Sequence, residues 1–364
     1  MTTSAAAAGG TTTTAPARPA RRAVAAYVAL SQQVRASGLL ERRRAYYAVR
    51  MALTGTALAL VVAGLVLVGD SWWALTLAPA LALVTTQVAF LGHDAAHRQV
   101  FASDRANDVT SRVLASLVAG LSIGWWRGKH DAHHAKPNQV GADTDIESKV
   151  LAFHEAAARK PSRLHTWLLR HQGFWFFPLL LLEGFNLHVD SWTAVLRRRG
   201  PRGRGADLAL IVAHWVLLAG LLLVVLSPGK ALAFVAVALA CFGVFLGGAF
   251  APNHTGMPVA ERGTRMDFLH RQVLASRNVR GGWWVDFAMG GLNRQVEHHL
   301  FPSMPRPNLK RVQPVVRAFC AEHGIAYTET SFPGAYLAVV RYLNDVGLGA
   351  RRARNCPLAA QFRG

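Results

Sequence analysis

Charged residues are scarce in this sequence of 364 residues, at 16%, whereas a soluble globular protein carries roughly 25%. Acidic residues are the scarcer kind, since twenty Asp and Glu face forty Lys and Arg and leave a formal net charge of +20. Because 52% of the residues are hydrophobic, the polar composition of a disordered protein is excluded for most of the chain. Two classes of protein remain, a membrane protein with basic flanks and a nucleic-acid-binding protein.

Cysteine is also scarce. Cys241, Cys320 and Cys356 lie far apart and form no C-x-x-C motif. This spacing excludes a disulfide framework, a cysteine-based zinc site and a cysteine-ligated iron–sulfur cluster. The Glu-x-x-His motif of carboxylate-bridged di-iron bundles and the His-Glu-x-x-His motif of zinc proteases are absent as well. A metal site in this chain must therefore use another set of ligands.

Long apolar runs, in contrast, are plentiful. Four runs lack charged residues and approach or exceed the roughly 20 residues that a helix needs to cross a bilayer. Short connections pair them into two helical hairpins, which predicts an all-α membrane protein with four transmembrane helices. Two further runs, Val113–Ile123 and Phe174–Leu182, are too short to span and are expected to lie in the membrane interface. The four predicted spans are residues 51–69, 71–92, 208–226 and 231–252.

The position of the basic residues decides between the two classes. Lys230 is the one basic residue in the two short hairpin loops, and the others precede, separate or follow the hairpins. The positive-inside rule then places both termini and the central segment in the cytoplasm. The arginines from Arg197 to Arg204, just before the third span, fit an orientation signal at an anionic lipid surface. We expect an integral membrane protein that binds no nucleic acid, with the bacterial plasma membrane as its location.

The remaining segments are assigned from composition and helical pattern. Residues 1–22 are predicted to form a disordered tail, because they are rich in Ala, Thr, Gly and Pro. Residues 23–50 are predicted to form a juxtamembrane helix and residues 51–330 the membrane domain. Residues 331–364 are predicted to form a cytoplasmic helix and tail. A helical cytoplasmic cap is thus expected to follow the fourth span.

Histidines carry the strongest functional signal. Seven of the fifteen fall into three short clusters, at positions 93–97, 130–134 and 295–299. Residues three and four apart share one face of a helix, so the histidines within each cluster point the same way. Imidazole is a preferred ligand of iron, copper, zinc and nickel, and His254, at the end of the fourth span, would reach the same membrane face. The candidate metal ligands are His93, His97, His130, His133, His134, His254, His298 and His299.

Acidic and amide residues inside the clusters are candidates for a supporting role. Asp94 and Asp131 could accept the second ring N–H of a ligand histidine, which fixes its tautomer; a solvated charge is the alternative. Glu297 and Gln295 belong to the same candidate set, and Gln295 takes the position of the leading histidine in the third cluster. His214, within the third span, is expected to be an ordinary buried histidine; a place in the lining of a tunnel is the alternative.

The motifs H-D-A-A-H, H-D-A-H-H and Q-V-E-H-H resemble the three histidine boxes of the integral-membrane fatty acid desaturases. The sequences R-N-V-R-G-G-W-W at 277–284 and N-H-T-G-M-P at 253–258 are similar to the front-end subgroup and its actinobacterial acyl-CoA desaturase relatives. The resemblance covers roughly residues 45–330. In animal-type relatives an Asn precedes the fourth-span histidine by four residues, where this chain has Phe250.

The resemblance implies an O₂-dependent desaturase that places a cis double bond in a long acyl chain, on CoA or on a lipid. It implies a non-haem di-iron centre held by the eight histidines, and external electrons. Because the sequence shows no fused cytochrome b5, we expect a separate ferredoxin or NAD(P)H-dependent reductase. Trp125, Trp126, Trp283 and Trp284 are expected to line the acyl tunnel or to anchor the protein at the interface. A hydroxylase on the same fold and a metal transporter are the alternatives.

Overall fold

The computed structural model describes residues 18–148, 150–158, 163–197 and 199–349. Most of the predicted N-terminal tail and the last fifteen residues lie outside this part of the chain. Fifteen α-helices and two short strands account for the regular structure of the described residues, together with two 3₁₀ turns and one π-helical turn. The α-helices are α1 (Arg18–Ala36), α2 (Arg44–Val68), α3 (Ala78–Ala96), α4 (Asp104–Arg112), α5 (Ile123–Ala135), α6 (Glu155–Ala158), α7 (Arg163–Arg170), α8 (Gln172–Leu196), α9 (Arg204–Val225), α10 (Pro228–His254), α11 (Phe268–Leu274), α12 (Trp283–Ala288), α13 (Gln295–Leu300), α14 (Arg306–Glu322) and α15 (Phe332–Gly349). The strands are β1 (Arg277–Arg280) and β2 (Thr328–Ser331).

Four helical segments are long and apolar enough to cross a membrane, and they match the four predicted spans. They are Arg44–Val68, Trp72–Ala96, Arg204–Val225 and Pro228–His254. Three begin three or more residues before the charge-free runs, because the charged residues that bound those runs, Arg50, Asp207 and Lys230, lie within the first two turns of their helices. Helix α10 packs against α8 and α3 more extensively than against α9, its neighbour in sequence. The backbones of α8 and α10 approach closely through Gly184 and Gly243, where a Cβ atom would collide with the facing helix.

The segment before the first span is not one helix, as predicted, but two. Helix α1 begins inside the predicted tail, and a turn around Gly38 separates it from α2. Leu30 and Val34 of α1 are buried in a cluster with residues of α11, α13 and α14. Tyr27 also donates a hydrogen bond to the carbonyl oxygen of Leu300, at 2.9 Å. Helix α1 therefore packs against the cap around the third histidine cluster.

Helix α8 is longer than its apolar run predicted. It extends from Gln172 to Leu196 and contains Pro178. The polar residues Glu183, His188 and Asp190 interrupt the apolar run in the sequence, which hid the helix from a search for continuous hydrophobicity. In the structure His188 is buried, and Glu183 and Asp190 line a cavity.

The run Val113–Ile123 forms a sharp bend rather than a surface helix. Helix α4 continues as a π-helical turn, Val113–Val118, and the chain then reverses by 115° into α5. Gly120 makes this reversal at a φ of +70°, where a Cβ atom would lie 2.7 Å from His214, so only glycine fits. This bent pair is either one broken span or a re-entrant loop.

A buried carboxylate fixes the start of α5, the helix that carries the second histidine cluster. Asp207 of α9 is fully buried and accepts hydrogen bonds from Ser122, the N-cap of α5, at 2.7 Å and from the Gly124 amide at 2.9 Å. Its other oxygen pairs with Arg112 at 2.7 Å. Asp207 therefore ties the third span to both arms of the bend.

We expect Asp207→Asn to lower the free energy of unfolding by about 1–3 kcal/mol, since buried charge-assisted hydrogen bonds are lost. Thermal unfolding of the detergent-solubilised protein, followed by tryptophan fluorescence, measures the change. Asp70→Asn is the matched control, because Asp70 is half exposed beside Lys230 in a hairpin loop. Equal melting temperatures for D207N and the wild type would contradict the role given to Asp207.

The cap after the fourth span contains a parallel two-stranded sheet. Strands β1 and β2 pair in parallel, with Arg277 opposite Thr328 and Arg280 opposite Ser331. The predicted C-terminal helix is present as α15, which packs against α7 and α8. This cap lies against α10 and holds the third histidine cluster at the end of the bundle where α3 and α10 terminate.

Candidate metal centre

All eight predicted histidine ligands converge at one end of the helical bundle. His93 lies near the end of α3 and His97 immediately after it, while His254 is the last residue of α10. The second and third clusters lie on α5 and α13. The histidines of each cluster therefore share one helical face, as their spacing in the sequence predicted. Four elements distant in sequence contribute to a single site.

The side chains form two groups. In each group the ligand atoms lie within 4.8 Å of one another, which is close enough to hold a common metal ion. His134 lies between the groups, since its ring stacks on His299 at 4.2 Å and its Nε2 atom lies 3.1 Å from Nε2 of His298. The first group is His93, His97, His130 and His298, and the second is His133, His254 and His299.

The arrangement of the histidine Nε2 atoms indicates which ligand the site binds. Those of His97 and His130 lie 2.8 Å apart, and those of His133 and His254 lie 3.2 Å apart. The Nε2 atoms of His93 and His299 are buried and have no hydrogen-bond partner among the described residues. Buried polar atoms without partners are costly, and nitrogens facing each other need a shared proton or a metal. The donor set fits two metal ions that prefer imidazole.

The Nδ1 atoms of the second group of histidines form hydrogen bonds with other residues of the protein. Nδ1 of His133 bonds to the Asp143 carboxylate at 2.9 Å, and Nδ1 of His299 bonds to Oε1 of Gln272 at 2.9 Å. Nδ1 of His254 donates to the carbonyl oxygen of Ala275 at 2.8 Å. Such bonds fix the tautomer that presents Nε2 to a metal. Three ligands of the second group therefore have preset orientations.

The protonation state of the histidines also favours metal binding. Burial, together with the neighbouring His134, holds the pKa of both His298 and His299 well below its ordinary value. Both imidazoles are therefore neutral at physiological pH, which is the form that binds metals. Burial would favour the neutral acid of Asp143, but the hydrogen bond and charge of His133, together with the backbone amides of Asp145 and Asn138, outweigh burial and lower the pKa of this carboxyl.

The acidic residues inside the boxes differ in position. Asp94 is buried beside His93, with 3.4 Å between Oδ1 and Nδ1, and forms an ion pair with Arg306 at 2.7 Å. Asp131 is exposed on the outer side of α5, away from the site. The prediction that Asp131 supports a ligand is wrong, because helical geometry turns it away from the histidine face. Asp143, from the loop after α5, occupies that role.

Glu297 is buried but does not contact a histidine ring. It accepts hydrogen bonds from Tyr327 at 2.6 Å and from Asn278 at 2.7 Å. Burial raises its pKa. Glu297 therefore connects the third box to β1 and to the segment before β2, and its role differs from the one predicted.

Gln295 takes the position of the leading histidine of the third cluster, and Phe250 lies four residues before His254. Gln295 is buried, its Nε2 lies 2.9 Å from Nε2 of His254, and its Oε1 has no partner among the described residues. Amide nitrogen and oxygen positions are assigned rather than observed, so either atom can face the site. Phe250 packs near His93, with 6.4 Å between ring centroids.

A cavity of about 1050 Å³ leads from the histidines between α5, α8 and α10. His93, His130, His133, His254 and Gln295 line its inner end. Its apolar walls include Trp125 and Trp126, the latter stacked on His130 at 4.2 Å. Its volume and largely apolar lining suit a long, flexible apolar ligand.

Trp283 and Trp284 do not belong to this cavity. Trp283 is 80% exposed and Trp284 47% exposed, and Trp284 packs on Phe332. The prediction that this pair lines the tunnel is wrong; it matches the interfacial alternative, since tryptophan favours membrane interfaces. Proximity in sequence to the third box misled the prediction, because β1 and α12 carry these residues outward.

His214, in the third span, is half-buried and hydrogen-bonded, and it also lines a cavity. Nδ1 of His214 donates to the Leu117 carbonyl oxygen at 3.0 Å. His188, also outside the ligand set, lies 2.7 Å from the Gly184 carbonyl oxygen. Both line a second, apolar cavity of about 310 Å³. They bond to backbone carbonyls near the bend before α5.

Comparisons with known proteins agree with this site. A family model described as "Fatty acid desaturase" matches residues 70–331. The chain is 32% identical to "Acyl-lipid (9-3)-desaturase" of Physcomitrium patens, over 74% of this chain and 53% of that protein. It is 31% identical to "Fatty acid desaturase 3" of Bos taurus, over 88% and 72% of the two chains, and 28% identical to "Delta 8-(E)-sphingolipid desaturase" of Kluyveromyces lactis, over 91% and 60%. The chain thus spans about half the length of the Physcomitrium patens relative.

Proposed function

Because the chain belongs to the fatty acid desaturase family, we propose that it introduces a cis double bond into a long acyl chain with O₂ as oxidant. A non-haem di-iron centre held by the eight histidines would supply the chemistry. One observation carries the proposal: eight histidine Nε2 atoms in one cluster face each other or have no partner among the described residues, and four of these histidines line a largely apolar cavity.

The balance of the reaction explains why a metal is required. Two protons and two electrons leave neighbouring methylenes, together equal to two hydrogen atoms, two more electrons and two protons come from outside, and O₂ becomes two molecules of water. An unactivated methylene offers nothing that a side chain can attack, so bound iron would supply the oxidising power.

The protein's own residues orient the reactants. The apolar walls exclude water and hold the acyl chain beside the histidines. Asp143, Gln272 and the Ala275 carbonyl fix the second group of imidazoles. Trp126 and Phe250 border the inner end of the cavity and limit the path of the chain next to His93. Positioning of this kind is the protein's main contribution when a cofactor carries the chemistry.

Partners and location follow from charge. We propose that the external electrons come from a separate ferredoxin or NAD(P)H-dependent reductase. The basic residues outside the hairpin loops favour a cytoplasmic active site and cytoplasmic termini, with the bacterial plasma membrane as the location. The acyl carrier is a lipid or CoA, and the names of the Physcomitrium patens and Kluyveromyces lactis relatives favour a lipid.

Product analysis tests the proposal. The purified protein, supplied with iron, a reducing system and labelled O₂, receives a fully deuterated acyl chain on phosphatidylcholine or on CoA. We expect a product that has lost two deuterium atoms and contains no labelled oxygen. A product that gains one labelled oxygen would identify a hydroxylase instead. Recovery of only unreacted chains from both donors would contradict both activities.

A further inference from the structure

Asn138, in the loop after α5, is buried and has an unusual backbone conformation. The residue is 2% exposed, and its φ of +53° lies in the left-handed region. Asparagine tolerates this region better than most residues that carry a side chain. A left-handed residue inside a protein is held in place by its surroundings, so the partners of Asn138 indicate its role.

The backbone of Asn138 supports one histidine of the second group. Its amide N–H donates a hydrogen bond to Oδ2 of Asp143 at 2.8 Å. The same carboxylate oxygen bonds to Nδ1 of His133 at 2.9 Å. Asn138 therefore helps to fix the carboxylate that orients His133, and this contact requires only its backbone.

The side chain of Asn138 supports another histidine of the same group. Its Nδ2 atom donates to the backbone carbonyl oxygen of His254 at 3.0 Å and lies 3.4 Å from that of Pro258. Both neighbours are acceptors, so the amide nitrogen rather than the amide oxygen faces them. His254 ends α10, and the last carbonyls of a helix have no partner within the helix. Asn138 provides a partner for one of them.

Backbone hydrogen bonds join the same two loops. The Ala260 amide donates to the carbonyl oxygen of Asn138 at 2.9 Å, and the Val140 amide donates to the carbonyl oxygen of Ala260 at 3.0 Å. Gln139 and Ala260 form an isolated parallel bridge. The loop after α5 is thus joined to the loop after α10, and Asn138 lies where they meet.

A short path of hydrogen bonds connects the two histidines through this junction. It runs from His133 through Asp143 and Asn138 to His254, in steps of 2.9, 2.8 and 3.0 Å. On the other side of the imidazole rings, the Nε2 atoms of His133 and His254 lie 3.2 Å apart. A metal site tolerates errors of only about 0.2 Å in its ligand distances. The spacing of these two nitrogens therefore depends on how the loops are joined.

Arg277 binds other carbonyl oxygens at the end of α10. Its Nη1 atom donates to Pro252 at 3.0 Å and to Thr255 at 3.2 Å. These contacts do not involve Asn138, so the end of α10 should remain folded when the side chain of Asn138 is removed. The expected change is in the position of His254 relative to His133.

We propose that Asn138 is a positioning residue for the second histidine group. Its backbone holds the Asp143 carboxylate, its side chain holds the end of α10, and together they set the distance between His133 and His254. The proposal rests on the proposed function, because it requires this group to bind a metal ion. Residues that orient metal ligands commonly contribute about 10–100-fold to metal affinity.

Cobalt binding tests this role without oxygen, electrons or substrate. The full chain in detergent is titrated with cobalt(II) alone, and the d–d absorption bands report the ligand geometry of each bound ion. The band missing from His254→Ala identifies the ion of the second group.

Asn138→Gly removes the side chain but keeps the left-handed backbone and its N–H, since glycine adopts positive φ readily. We expect the cobalt affinity of the second group to fall about tenfold and its d–d band to change. The ion of the first group should bind as in the wild type. Asn138→Asp keeps the size of the side chain, but a carboxylate cannot donate to the His254 carbonyl, so it should also weaken the second group.

Arg98→Gly is the matched control for Asn138→Gly. Arg98 also has a positive φ, of +60°, and it follows His97 of the first group in the sequence, but its side chain is exposed. This variant should bind both cobalt ions as the wild type does. The melting temperature of each variant shows whether it is folded.

The outcomes separate this role from general stabilisation and from the proposed reaction. Wild-type cobalt affinity and spectra in N138G and N138D would overturn the role, whether or not the wild type desaturates acyl chains. Equal losses from both groups with a lower melting temperature would also overturn it. A selective loss from the second group, in a protein whose wild type yields no desaturated product, would support the role and contradict the proposed reaction.

Discussion

Replacing His254 with alanine should remove one of the two metal ions and reduce desaturation by more than about 100-fold, since loss of even a supporting residue costs 10–100-fold. His254 belongs to the smaller group, with His133 and His299, so its loss leaves two ligands. Metal analysis by mass spectrometry and the rate of product formation measure the effect. The first group does not contain His254 and should keep its ion.

His270→Ala is the matched control for His254→Ala. His270 is half-buried, bonds to Asp267 at 2.8 Å and lies outside both groups. It should keep the full metal content and activity. If H254A also kept both, His254 would be an interface histidine and the second group would not form a metal site.

Asp143→Asn should weaken metal binding at the second group by about 10–100-fold. Both carboxylate oxygens of Asp143 accept N–H groups: Oδ2 from His133 at 2.9 Å and Asn138 at 2.8 Å, and Oδ1 from Asp145 at 2.9 Å. An amide offers one acceptor oxygen, so an N–H group would face another N–H. Titration with a chelator measures the change. The readout is the chelator concentration at which the first of the two metal ions is released.

Asp131→Asn provides the comparison on the same helix. Asp131 is exposed and turned away from the histidines, so this substitution should leave metal affinity unchanged. A larger effect at Asp131 than at Asp143 would reverse the assignment of the supporting carboxylate.

The contrast between Asp143 and Asp131 also shows how much of the site could be predicted from the sequence. The ligands were predictable, because offsets of three and four residues place histidines on one helical face. Asp143 and Gln272 were not, since they reach His133 and His299 through loops and a separate helix. Adjacency in sequence favoured Asp131, although neighbouring residues on a helix point in different directions.

The fold, like the site, could be predicted from the sequence only in part. The four spans follow from continuous apolar runs, which membrane helices need on every lipid-facing side. Helix α8 was only partly predicted, because Glu183 and Asp190 interrupt its pattern and face the cavity. The bend at Gly120 and the pairing of β1 with β2 depend on contacts between segments far apart in sequence, and no local pattern encodes them.

The metal content of the purified wild-type protein tests the central claim most directly. The two histidine groups predict about two iron ions per chain after loading with ferrous iron, and iron Mössbauer spectra that show nitrogen-rich, high-spin sites. A single ion per chain, or tight binding of zinc in place of iron, would contradict a di-iron centre in this histidine cluster.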